Sequence, residues 1–249
     1  MKKFFRVLLA GIIVLPLMAV SILLTPLLVL LDKLKLKALR DAIFYFGVRI
    51  FANMVLFLIG GRLHVKGKEQ LDLKKGCYCY IGNHQSMVDI VALMCPIGIR
   101  SGFIGKKEVK KIPIVNAFFV GFGSVFLDRK NPRESIKAIL KGSEYLKNGH
   151  SMTIYPEGTR SKDGSIHEFK AGSFKMATRA GATIVPVCVK GSRKVFEATE
   201  DFKRHDVYIS FLKPIETKGM SDEELKEIHT RVENAIRAEY DSLPALESL

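Results

Sequence analysis

Cysteine is scarce in this 249-residue chain: four residues, at 77, 79, 95 and 188, scattered through apolar stretches. A chain of this size does not need a disulfide framework to fold, and the four read as reduced, buried thiols facing a cytosolic compartment. Cys77 and Cys79 fall on one face of an expected strand close to His84, but a fourth ligand is missing, so no metal site is expected. Zinc-finger spacings and the aromatic pattern of RNA-binding strands are also absent, which removes nucleic acid as the expected partner. No internal repeat and no low-complexity linker interrupts the chain. Acidic residues are the scarcer sign, 25 against 39 basic, giving a formal charge of +14 and a pI near 9.6. That balance favours an anionic partner, either a bilayer surface or a phosphorylated substrate.

Charge of either sign is missing from Val7 to Leu31, twenty-five residues that come after the basic start MKKFFR. The run exceeds the length of about 7 to 15 residues usual for the core of a signal peptide, so it is expected to remain as an anchor. As one helix it would extend about 37 Å, enough to cross a hydrocarbon core of about 30 Å. Pro16 and Pro26 interrupt it, however, and basic residues flank both ends, so no positive-inside bias is present. A second apolar stretch, Ala42 to Gly61, carries only Arg49 as a charge. The expectation is a membrane-associated helical hairpin over residues 1–61, dipping into one leaflet and keeping its basic clusters at anionic headgroups. Two full spans are the alternative, and Arg49 leaves open that the second stretch is an ordinary helix of the domain.

From residue 62 to 249 the pattern is that of one α/β domain with a mostly parallel central sheet flanked by helices. RLHVKG, GCYCYIGN, GFIGK, GSVFLDR, SMTIYPEG, TIVPVCVKG and DVYISFLKPIE read as strands. Asn131 next to Pro132, with apolar Ile136, Ile139, Leu140 and Leu146 and then Gly149, marks one helix. SDEE, beginning at Ser221, matches a capping box and opens a last helix through Leu225, Ile228, Val232 and Ile236 to Tyr240. Polar residues sit just past the strands: His84, Lys106 and Lys107, Arg129, and the series Glu157, Gly158, Thr159, Arg160. Open parallel sheets bind ligands at their carboxyl edge, so these groups are expected to share one crevice.

His84 and Asp89 carry the expected proton chemistry. On a continuous helix, five residues would separate them by about 140°. With His84 in a loop and a helix starting at Ser86, Asp89 lies in the first turn and can accept from imidazole Nδ1, leaving Nε2 as a base. The spacing Ser86 to Asp89 also fits a capping box in which Asp89 only closes the helix start. Such a pair, with no obvious serine or cysteine nucleophile, suits activation of a substrate hydroxyl. Ser86 reads as a cap more readily than as a nucleophile. In YPEGTRS, Gly158 permits close backbone approach, while Thr159 and Arg160 are donors to an oxyanion. Lys106 and Arg129, from other strand ends, complete a phosphate pocket.

Six blocks, NHQSMVD, GKKEVKKIP, GSVFLDR, YPEGTRS, FKAGSFKMA and IVPVCVKG, run in order between residues 81 and 191. In them the chain resembles the glycerolipid acyltransferase family, with its HX4D motif, and within it the 1-acylglycerol-3-phosphate acyltransferases of bacterial type. The resemblance implies His84 as catalytic base, Asp89 as its orienting carboxylate, and Gly158, Thr159 and Arg160 as ligands of the acceptor's phosphate. Arg129 and Lys106 join that pocket, with Glu157 either binding or serving local structure. Val185, Pro186 and Val187 match a block that shapes the acyl chain's surroundings or the core. The implied reaction moves an acyl chain from acyl carrier protein or coenzyme A to the 2-hydroxyl of lysophosphatidic acid, without metal or cofactor, at the cytoplasmic face of the cell membrane. The chain departs from the pattern at His167 and Glu168, where proline is usual before Phe169, and at Asn116, near a usual glycine.

Three other readings remain open at this level: glycerol 3-phosphate or another lysophospholipid as acceptor, a membrane-surface binding protein without catalysis, and a hydrolase using Ser86.

Overall fold

The computed structural model describes residues 8, 11–12, 25–73, 77–98, 101–128, 131–198 and 203–246. Seven strands form one sheet: β1 (Gly61–Lys66), β2 (Tyr78–Gly82), β3 (Ser101–Lys106), β4 (Val125–Leu127), β5 (Ser151–Ile154), β6 (Thr183–Lys190) and β7 (His205–Phe211). All seven coincide with the expected runs. Their spatial order is β1-β7-β6-β2-β5-β3-β4, and every pairing is parallel except β6 with β7. The carboxyl ends of β6, β2, β5, β3 and β4 therefore lie along one edge, and this brings sequence-distant loops together.

The described helices are α1 (Thr25–Lys33), α2 (Lys37–Leu58), α3 (Val88–Ile97), α4 (Pro113–Gly121), α5 (Pro132–Lys147), α6 (Ala171–Thr178), α7 (Ser192–Phe196) and α8 (Asp222–Ser242). They cover both faces of the sheet, and the strand alternation divides its side chains between two cores. Tyr80, Val185, Val187 and Val189 pack with Val48 and Ala52 of α2, Val88 and Leu93 of α3 and Val195 of α7. Cys79, Ile81, Ile184 and Cys188 face the other way, onto Ala138 of α5, Met176 of α6 and Ile228, Val232 and Ile236 of α8. Val185 and Val187 thus serve the core. Three of the four thiols are buried as expected, whereas Cys77 is half-buried before β2.

Local chemistry sets the helix starts. Asn131 Oδ1 accepts the amides of Arg133 and Glu134 at 3.0 and 3.4 Å, with Pro132 in the first turn of α5. Ser221 and Glu224 exchange both bonds of a capping box, which opens α8. Each removes orphan amide donors that would otherwise fray the terminus.

The second apolar segment begins five residues earlier than its composition marks, at Lys37, and α2 belongs to the domain core as well as to the surface. It buries Val48, Ala52, Val55 and Leu56, and Arg49 turns its Nε to the Cys95 carbonyl of α3 at 3.2 Å. Leu39, Phe46, Ile50 and Phe57 recur on the opposite stripe and are exposed. Among the described residues α2 is the one helix long and apolar enough to cross a membrane. α1 precedes it through a tight turn in which Lys35 has φ 60° and Arg40 bonds Asp32 and Asp41. Most of the uncharged run from Val7 to Leu31, and so most of the expected first arm, lies outside the described residues.

Candidate active site

β2 ends at Gly82, and Asn83 fixes the direction in which the chain leaves it. The Asn83 side chain is fully buried and exchanges two bonds with Val189 of β6, each 2.8 Å, so the loop departs from the sheet edge in one direction only. His84 comes next. Its Nδ1 lies 2.7 Å from Asp89 Oδ2, and its ring stacks on Tyr155 with centroids 4.2 Å apart at 13°. The imidazole is held on an edge and a face while 13% of its side chain stays exposed, which leaves Nε2 for a substrate.

Asp89 is both helix closure and partner of the His84 imidazole. Helix α3 begins at Val88, two residues later than expected, and Asp89 Oδ2 also accepts the amides of Gln85 and Ser86 at 2.7 and 2.9 Å. Ser86 Oγ in turn accepts the Val88 amide at 2.9 Å. This exchange closes the helix start and aims the carboxylate at the imidazole with the same oxygen. Oδ1 accepts from Ser192 Oγ, at the start of α7. Ser86 is fully buried and donates to Glu197 Oε2 at 2.5 Å, so it is a turn residue with no path to the role of nucleophile.

The turn after β5 is pinned to this loop. The Ser161 amide donates to the His84 carbonyl at 2.8 Å, and the His84 amide donates to Glu157 Oε1 at 2.7 Å. Gly158 has φ 75°, a conformation that disfavours a side chain, and a Cβ there would meet Lys170 Nζ at 3.0 Å. Lys170, which lies in the block FKAGSFKMA with no role assigned by the sequence, thus presents its ammonium to the glycine turn. Thr159 and Arg160 are exposed beside it, and Arg160 Nη1 bonds Glu197 Oε1 at 3.1 Å.

Glu157 departs from the expected phosphate pocket. It is buried, and its second oxygen accepts the His167 amide at 3.1 Å, so both oxygens bind backbone. A carboxylate so used clamps two loops; it is no ligand for an anion. Burial pushes its pKa up to about 7, opposed by the His84 and His167 amides. Because the folded carboxyl ionises less readily than the ordinary 4.5, its contribution to stability is full below about pH 4.5 and is lost as pH rises through about 7. The full swing is about 3 kcal/mol. The melting temperature of the natural chain relative to Glu157→Gln should therefore fall between pH 5 and 8; a constant difference would refute the buried titration.

Lys106 stands at the end of β3, exposed, with Nζ 3.4 Å from Glu108. Its register partner is Leu127 of β4, two residues before Arg129. Arg129 lies outside the described residues. Among the described residues no cluster of three or more His, Cys, Asp or Glu side chains fits a metal ion.

Tyr155, the first residue of YPEGTRS, with no role assigned by the sequence, and Ser192 and Glu197, which no motif marks, also border the His84 loop. The last two come after β6 at the same sheet edge, so the strand-end rule applied to the other loops would have found them. Tyr155 precedes the glycine turn, and its phenol oxygen is buried without a hydrogen-bond partner among the described residues. Tyr155→Phe should keep the stack and relieve that oxygen, raising stability by about 1 kcal/mol with turnover unchanged. Thermal melting and steady-state kinetics together check this.

An imidazole held by a buried carboxylate is thus joined to a glycine turn carrying cations at the carboxyl edge of an α/β sheet. The acyltransferase family model matches residues 62–190, and the chain belongs to that family. It is 32% identical over 178 residues to 1-acyl-sn-glycerol-3-phosphate acyltransferase LPAT1, chloroplastic, of Arabidopsis thaliana, covering 71% of this chain and 49% of that one. The 1-acyl-sn-glycerol-3-phosphate acyltransferase of Borreliella burgdorferi is 32% identical over 153 residues, with coverage of 60% and 59%. The chain thus spans about half to three fifths of the length of these relatives. In three dimensions it is similar to the crystal structure of the 1-acyl-sn-glycerophosphate (LPA) acyltransferase PlsC from Thermotoga maritima, with TM-score 0.77, 26% identity and full coverage of both chains.

Proposed function

We propose that the chain transfers a fatty acyl group from an acyl thioester to the 2-hydroxyl of lysophosphatidic acid, giving phosphatidic acid. The observation that carries this reading is the joining of the His84 loop to the glycine turn by the Ser161 amide at 2.8 Å. It fixes the separation of the imidazole loop and the glycine turn, which supports the reading of the two as base and phosphate site for one phosphate-bearing alcohol. The names of the relatives point to the same acceptor.

In this mechanism Gly158, Thr159, Arg160 and Lys170 hold the phosphate, with Lys106 and Arg129 as further cations of the pocket. His84 Nε2 takes the proton of the 2-hydroxyl as its oxygen attacks the thioester carbonyl. Asp89 stabilises the resulting imidazolium through Nδ1–H. The tetrahedral oxyanion collapses, the carbon–sulfur bond breaks, and the imidazolium returns its proton to the departing thiolate. The donor is the thioester of coenzyme A or of acyl carrier protein, and the chemistry needs no metal or cofactor. The outer stripe of α2, Leu39, Phe46, Ile50 and Phe57, rests in one leaflet while its inner face stays in the domain core, and the catalytic domain lies at the cytoplasmic face. The exposed stripe of α2 supports that placement.

Purified full chain in detergent, supplied with labelled acyl thioester, should form phosphatidic acid from lysophosphatidic acid. Monoacylglycerol, which lacks the phosphate, should show kcat/KM lower by about 100-fold. Equal use of the two would contradict a phosphate-binding role for the glycine turn, and preference for glycerol 3-phosphate would reassign the acceptor.

A further inference from the structure

Glu197, just beyond α7 and outside the residues matched by the family, touches both halves of the site. Its Oε2 accepts from Ser86 Oγ at 2.5 Å, and its Oε1 accepts the Met87 amide at 3.1 Å and Arg160 Nη1 at 3.1 Å. The carboxylate is largely shielded, with 24% of its side chain exposed, whereas the guanidinium it holds is 46% exposed. One end of this ion pair is anchored in the turn just after the base, and the other reaches into solvent beside Gly158.

We infer that Glu197 is a positioning residue for the acceptor's phosphate, holding Arg160 by one nitrogen so that the rest of the guanidinium fork faces the ligand. This rests on the proposed reading of Arg160 as a phosphate ligand. Arginine binds phosphate best with two parallel N–H donors, and a long side chain fixed beforehand loses less freedom on binding. Among the described residues only Nη1 of Arg160 is engaged, which leaves Nε and Nη2 as donors. Glu197 takes the Ser86 hydroxyl and the Met87 amide of the anchoring turn, while the bonds that aim Asp89 at His84, from the Gln85 and Ser86 amides, do not involve it. Loss of Glu197 should therefore be felt in acceptor binding more than in turnover.

The test measures KM for lysophosphatidic acid, KM for the acyl thioester, kcat and melting temperature in Glu197→Ala, Glu197→Gln, Arg160→Ala and the double variant Glu197→Ala with Arg160→Ala. Glu197→Ala should raise acceptor KM about tenfold, with kcat and donor KM within about threefold of the natural chain. Glu197→Gln, which keeps an acceptor oxygen for Arg160 or the turn, should recover part of the loss. The double variant should be no worse than Arg160→Ala alone, since the two side chains act as a unit. An unchanged acceptor KM would overturn the inference, as would a lowered one, which would make Glu197 a competitor of the phosphate. Additive losses would also overturn it, by giving Glu197 a role independent of Arg160. If the natural chain forms no phosphatidic acid at all, the functional reading itself fails; if it does and Glu197→Ala behaves like it, only the positioning role fails.

Discussion

His84→Ala is expected to lower kcat by about 10³-fold while KM for the acceptor stays within about twofold. The imidazole combines a fully buried carboxylate at hydrogen-bond distance from one nitrogen with a partly exposed ring at the sheet edge. Its Nδ1 is committed to Asp89 at 2.7 Å and its face to Tyr155, so the ring is held in one orientation, with Nε2 as the atom of the proposed base. The phosphate is held by other residues, which is why binding should survive the loss. Stability should survive as well, since the backbone bonds of the loop come from the amide of residue 84 to Glu157 and from its carbonyl to Ser161. Steady-state kinetics and thermal melting of the purified variant check both parts. A variant with turnover within about tenfold of the natural chain would remove the histidine from the mechanism.

Asp89 gives the second large effect, and its two simplest substitutions should behave differently. Asp89→Asn can keep its remaining oxygen towards His84 Nδ1 and the Gln85 and Ser86 amides. Its new amino group then faces Ser192 Oγ, which can turn from donor to acceptor. The fold should persist, but the negative charge that stabilises the imidazolium is gone, and kcat should fall by about 10²-fold. Asp89→Ala instead strands two buried amides and the Nδ1 proton, each costing about 1–3 kcal/mol, so stability should fall by at least about 3 kcal/mol together with activity. Chemical denaturation of the two variants side by side measures the contrast. Equal destabilisation would mean that the Ser192 hydroxyl cannot reverse its bond.

The sheet was readable because each strand is a short apolar run closed by glycine or charge, and because strand ends collect the polar residues of parallel folds. α5 and α8 were readable from Asn131-Pro132 and Ser221-Asp-Glu-Glu, signals that act within one turn of chain. His84 with Asp89 was readable as a pair but not as a geometry. The sequence spacing posed cap and base-orienter as alternatives, while the three-dimensional turn lets one oxygen do both. Glu157 was readable only as two alternatives, binding or local structure, because an acidic residue beside Gly-Thr-Arg fits both, and its two backbone amide partners reveal a clamp. Lys170, inside the block FKAGSFKMA, and Glu197 lie 12 and 37 residues beyond Gly158 and Arg160, and spacing alone ties neither to the turn. The early start of α2 was not readable because composition treated Arg40 and Asp41 as a boundary, whereas they lie within the helix and pair with each other.

The most direct test of acyl transfer by a base without an acyl-enzyme tracks the label itself. The purified full chain is mixed with a thioester carrying a labelled acyl group, then with lysophosphatidic acid, and lipid, free fatty acid and protein are separated. Label should appear in phosphatidic acid, with none retained on the protein, and the lipid product should be lost in His84→Ala. Label recovered only as free fatty acid, or bound to Ser86, would contradict direct transfer to the lipid hydroxyl.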